Sequence, residues 1–178
     1  MVRLRAYLAV ALFAIPSLGQ TPESKPMAEP KLPFYDWGIC PGEGCQYGRW
    51  KARKKILVYN TWKPGRRTIA HLSPGDSVIA LTGGVITYRP GVLRISRDDL
   101  EHGLRAGDKI LTYTYLGEGF SAVWFRGRFY HDFDTSYSYG EEGEKIWWAK
   151  VRLNSGRVGW VNMNQSHFDG TCSLAASQ

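Results

Sequence analysis

Small antiparallel barrel units, two in tandem, are the architecture this all-β sequence predicts, with a long hairpin inserted in the second. Three observations predict it. Short β-branched or aromatic runs recur at about ten-residue spacing between Gly and Pro punctuation. Helical periodicity is nearly absent, and one turn motif occurs twice. The 178 residues include 20 Gly and 7 Trp and are 43% hydrophobic, which excludes a disordered chain and disfavours a long parallel-sheet enzyme.

At the front, Arg3 and Arg5 precede the apolar run Ala6 to Ile15, Pro16 breaks it, and Ser17-Leu18-Gly19 supplies small residues for cleavage. Residues 1–19 therefore predict a secretory signal peptide. The run is about half of the roughly 20 residues that span a bilayer, so a periplasmic or secreted protein without integral membrane contact is expected. Removing two arginines lowers the formal charge from +7 to +5. A moderately basic exported protein suits anionic envelope polymers, and export separates it from nucleic acid.

Residues 20–33, with Pro22, Pro26 and Pro30, read as a proline-rich linker, the alternative being an arm packed on the domain. Residues 34–95 form the expected first unit, opening with a cysteine loop; Lys55–Tyr59, Ser77–Leu81 and Gly84–Tyr88 are its strands. Residues 96–165 form the second, with strands at Lys109–Tyr115, Ala122–Phe125, Trp147–Leu153 and Val158–Val161, an insertion over residues 126–145, and a tail over residues 166–178. Ser96 to His102 is the one segment that predicts a helical turn, with Ser96 as N-cap. The repeated motif is Leu-x-x-Gly-Asp-x-aliphatic, at Leu72 to Val78 and Leu104 to Ile110, 32 residues apart. In each copy glycine supplies a positive φ and Asp a local side-chain bond.

Leu104-x-x-Gly107-Asp108, followed by Trp147-Trp148-x-Lys150-Val151-Arg152, Gly156 and Gly159-Trp160-Val161, resembles the bacterial Src-homology-3-like (SH3b) domain. The likeness covers Leu104 to Val161, and a second one, Trp50 to Thr82, covers only the front of such a domain. Cys40 to Trp50, with segments near Ala80 and Gly119, is similar to a group of exported bacterial SH3-like proteins. The resemblance implies fold and export, and no defined activity.

In an oxidising compartment the Pro-Gly-Glu-Gly loop lets Cys40 and Cys45 reach disulfide distance, leaving Cys172 over; pairing of Cys172 with either is the alternative. Three cysteines lack a fourth zinc ligand, and Asp132-x-Asp134-x-Ser136 lacks the glycine and glutamate of an EF-hand, so no metal and no cofactor are expected. No nucleophile elbow, zincin motif, phosphate loop or dinucleotide fingerprint occurs, which points away from an enzyme.

Arg49 to Arg67 holds eight cations and no acid, among them Arg53, Lys54, Lys55, Arg66 and Arg67; the acidic stretch Asp132 to Glu144 is a candidate counter-charge. Aromatics interleave with the cations, and strand alternation sends Trp147 and Trp148 to opposite faces, one inward and one outward. Trp50, Trp62, Tyr137, Tyr139, Trp147 and Trp148 are the expected ligand contacts, with the basic residues as an electrostatic aid. The expected partner is a cell-wall glycan or peptide, or an exported protein. A cell-wall hydrolase or peptidase-associated protein is the alternative.

Overall fold

The computed structural model describes residues 26–171. The expected signal peptide, the front of the expected linker, Cys172 and the end of the tail lie outside the described residues. Every strand pairing is antiparallel, in two sheets. The first holds β1 (Phe34–Trp37), β2 (Arg49–Ala52), β3 (Ile56–Tyr59), β4 (Thr68–Leu72), β5 (Ser77–Arg89), β11 (Glu144–Leu153), β12 (Val158–Asn162) and β13 (Phe168–Asp169). The second holds β6 (Gly91–Ile95), β7 (Lys109–Gly117), β8 (Phe120–Phe125), β9 (Arg128–Asp134) and β10 (Ser138–Glu141). The all-β, barrel-like class read from the sequence is the class found.

The repeated motif makes the same turn twice. Ala52 N–H donates to Asp76 O and Gly75 N–H to Ala52 O, both at 2.8 Å. Ile95 N–H donates to Asp108 O at 3.0 Å, and Gly107 N–H to Ile95 O at 2.8 Å. Gly75 and Gly107 have φ of +96° and +92°, where only glycine is unstrained. The Asp76 and Asp108 carboxylates accept from Ser73 and Arg105 N–H at 2.8 and 3.0 Å.

The likeness extends to topology. The run β13-β2-β5-β11-β12 in the first sheet and the whole second sheet, β10-β6-β7-β8-β9, share one plan. In each, four strands pair in chain order and the last strand returns to pair with the first. Because only Thr135 to Tyr137 separate β9 from β10, at opposite edges, the second sheet must curl.

The pairing does not follow the expected boundary at residues 95 and 96. Strands β11 to β13 close the first unit, and residues 91–141 are nested between β5 and β11. The reason is the length of β5. Its 13 residues pair with β11 from Val78↔Leu153 to Arg89↔Glu144, so the chain leaves the first unit and re-enters at one point. Residues 126–145 are accordingly no hairpin: β9 pairs with β8 and β10 with β6.

Separate cores fill the units. Trp50, Val58, Val78, Ala149, Val151 and Val161 anchor the first; Ile95, Leu104, Ile110, Val123 and Phe133 anchor the second. Phe34 of β1 links the two sheets, its ring 5.1 Å from Tyr113 on β7 and 5.4 Å from Phe129 on β9. The described end of the expected linker is docked on the second unit: Met27 N–H donates to Gly127 O (2.7 Å), and Glu29 accepts from Tyr113 Oη (3.2 Å). Cys40 and Cys45 are disulfide-bonded, with Cα atoms 5.4 Å apart.

Ser96 to His102 forms turns rather than a helix. The carboxylates there serve local bonds. Asp99 Oδ1 accepts His102 N–H (3.1 Å) and Asp98 Oδ1 accepts Ala106 N–H (3.0 Å), an alternative to helical bonding that Asp side chains offer.

Candidate functional site

Alternation along β11 sends Trp147, Ala149, Val151 and Leu153 towards the first core and Trp148 and Lys150 to the opposite face. Register then assembles that outer face. Trp148 pairs with Gly84 of β5, and Gly84 pairs with Trp37 of β1 on its other side. Lys150 pairs with Trp160 of β12, which pairs with Tyr59 of β3. Gly84 has no room for a side chain, because a Cβ there would lie 2.3 Å from the Trp37 ring.

The loop between β3 and β4 folds over this face. Asn60 closes it, its N–H donating to Arg67 O (3.0 Å) and its Oδ1 accepting Arg67 N–H (2.8 Å). The closed loop sets the Trp62 ring 5.1 Å from Trp37 and 5.6 Å from Tyr35. Trp160 meets Trp37 edge-on at 5.9 Å. Tyr35 and Trp37 are 44% and 42% exposed, and Trp62 and Trp160 are half-buried. Cations border the rings: Lys63 lies 5.6 Å from the Trp62 centroid and Lys150 5.9 Å from that of Trp160. Arg66 covers both Trp148 (5.1 Å) and Tyr59 (5.3 Å). Clustered exposed aromatics of this kind mark contact surfaces, and their faces attract cations.

The residues expected to bind ligand do not come together in one place. Trp62 and Arg66 belong to the outer face. Trp50 and Trp148 do not contact solvent; at 0% and 1% exposure neither offers ring surface to a ligand. Trp50 is held by Tyr47, Trp147 and Phe168 in the first core, and Trp148 is roofed by Tyr59 and Arg66. Of the tryptophan pair, the outward-facing one is therefore the more deeply covered, because the β3–β4 loop lies over it. Trp147 is half-buried at the junction of the sheets, and Tyr139 is 59% exposed on β10.

Tyr137 is a structural tie. Its hydroxyl donates to Asp99 Oδ2 (2.6 Å), Arg97 lies 4.5 Å from its ring centroid, and His102 Nδ1 also meets Asp99 Oδ2 at 2.8 Å. Burial, then the Asp99 carboxylate, push the Tyr137 phenol well above its usual range. Burial opposes the Asp99 charge, but the bonds from Tyr137 and His102 prevail and hold its carboxyl below the usual range.

The basic stretch does not act as one patch. Arg53 pairs with Asp169 of β13, not with the acidic stretch, and Lys54 and Lys55 are exposed before β3, at the opposite end of that strand from the Trp62 loop. Arg67 is exposed in the loop itself.

No family model, curated protein or solved structure matches this chain. Among the described residues no helix is long and apolar enough to cross a membrane. Sequence reasoning missed Tyr35, Trp37 and Trp160 as members of the outer face. The signal was present, since Tyr35 and Trp37 are two apart in a strand-like run, but nothing local says that β1 pairs with the far half of β5.

Proposed function

We propose that the chain is an exported, non-catalytic binding module of the cell envelope, its two barrel units being of the SH3-like kind that its motifs resemble. The ligand is a cell-wall glycan, held on the outer face of the first sheet. One observation carries this reading: Tyr35, Trp37, Trp62 and Trp160 form a contiguous ring surface bordered by Lys63, Lys150 and Arg66. Indole and phenol faces stack against the apolar faces of sugar rings, and the cations meet carboxylates of the same polymer. The disulfide and the resemblance of the N-terminal segment to a signal peptide support an oxidising compartment.

Co-sedimentation with purified cell wall tests it. The chain is expected to pellet with the wall, and Trp37→Ala combined with Trp62→Ala is expected to weaken retention at least about tenfold, as loss of two aromatic anchors does. Undiminished retention by a correctly folded double variant would sink the assignment of this face.

A further inference from the structure

A cleft runs along the junction of the two sheets. At one end Pro41, Val85, Trp147 and Met163 line an apolar hollow of about 260 Å³. At the other, Leu93, Thr112, Ser138 and Tyr139 border a hydroxyl-rich hollow of about 340 Å³. Tyr115 and Lys145 line both, so the two hollows adjoin at these side chains. Together they reach the size of ordinary ligand sites, roughly 300–1,000 Å³.

Lys145 is the cation of this junction, and the Glu142 carboxylate lines the hydroxyl-rich hollow beside it. It sits where β11 shifts register against β5, between Glu144 and Lys145. Asn164 pins the bulged segment from both sides, its Nδ2 donating to Lys145 O (3.0 Å) and its Oδ1 accepting Trp147 N–H (2.8 Å). The Lys145 side chain is only 16% exposed, and its acidic partner, Glu142 at 3.5 Å, is 84% exposed. Burial lowers the ammonium's pKa and Glu142 offsets this in part. At 3.5 Å the Glu142 contact is longer than a charge-assisted hydrogen bond, so an anion that approaches the mostly buried ammonium more closely offsets its burial better.

We infer that this cleft is a second binding site, distinct from the outer face, for the free terminal carboxylate of an extended peptide whose last side chain is apolar. The carboxylate displaces Glu142 from Lys145, and the side chain enters the hollow of Val85, Trp147 and Met163. The peptide continues past Tyr115 into the hydroxyl-rich end. A sugar acid fits less well, because it would occupy only the hydroxyl-rich hollow and leave the apolar surface of Val85, Met163 and Pro41 uncovered.

Titration of the full chain with N-acetyl-glycyl-glycyl-leucine, its carboxamide and glucuronic acid, followed through the Trp147 indole N–H signal by NMR, tests the inference. The free acid is expected to shift that signal saturably, and the carboxamide to bind about tenfold more weakly, as loss of a charge-assisted bond implies. Lys145→Met is expected to reduce the acid to the affinity of the amide. Glu142→Gln alters only an exposed side chain, and it is expected to tighten binding of the acid by removing its competitor. Trp37→Ala on the outer face is expected to leave all of this unchanged, so failure of this site and failure of the wall-binding face are read separately. Equal binding of acid and amide, equal or tighter binding of glucuronic acid, no movement of the Trp147 signal, or a Glu142→Gln variant that binds the acid more weakly would each overturn it.

Discussion

Trp148 and Trp62 stand on the same face of the first sheet, yet substitution is expected to act on them differently. Trp148 is buried under Tyr59 and Arg66, so Trp148→Ala opens a cavity and costs about 3–5 kcal/mol. Trp62 is half-buried against rings that are themselves partly exposed, and Trp62→Ala is expected to cost less than half as much while removing ligand surface. Chemical denaturation of the two variants checks this, and equal costs would contradict the division between roofed and open rings.

Asp99 provides a second prediction at the same scale. Its folded pKa lies below the unfolded value of about 3.9. Its stabilisation is therefore complete above that pH and is lost as pH falls through the lower folded value. NMR signals of the Ser96 to Leu104 segment are expected to hold steady down to about pH 4 and to change below it. Tyr137→Phe deletes one donor to the carboxylate, should move that change to higher pH, and should cost about 1.5 kcal/mol.

Among the elements, the two Gly-Asp turns are the clearest pair for comparison. Gly75 and Gly107 share a positive φ, and a Cβ at either would meet nothing within 4 Å. Substitution by Ala therefore acts through backbone strain alone, about 1–2 kcal/mol in each case. Similar losses at the two sites, measured by thermal melts, would support mechanical equivalence of the turns, whereas a large difference would mean that one is not part of its unit's core pairing. Gly84 differs in kind. A methyl there collides with the Trp37 ring and with Asp36 O, so Gly84→Ala is expected to displace β1 and dismantle the outer face, visible as lost tryptophan ring contacts and lost wall retention.

Across the whole molecule, nesting makes a prediction that a tandem arrangement does not. Arg89 and Glu144 face each other across β5 and β11, so a chain joining them through a two-residue turn in place of residues 90–143 should still fold its first unit. It should bury Trp50 as before while exposing Phe34, whose partners Tyr113 and Phe129 are gone. A chain ending at residue 95 should not fold, because Ala149, Val151 and Val161 of its core are missing. Near-ultraviolet circular dichroism separates these outcomes.

The all-β class and the repeated Leu-x-x-Gly-Asp unit follow from the sequence by itself, since side-chain alternation and the φ demanded at Gly75 and Gly107 are local properties. Gly83-Gly84 reads as a turn between Ser77–Leu81 and Gly84–Tyr88 but lies inside the single strand β5, because both glycines pair with β11. The Cys40–Cys45 pairing was equally legible, from a six-residue segment whose loop holds two glycines. Which strands close which barrel was decided only in three dimensions, because β11 meets β5 across more than fifty intervening residues and a hydrogen-bond ladder carries no sequence address. The same holds for the rings. Alternation told that Trp147 and Trp148 point apart, but burial depends on what arrives from elsewhere: the β3–β4 loop covers Trp148, while β1, docked beside Gly84, brings Tyr35 and Trp37 to the surface.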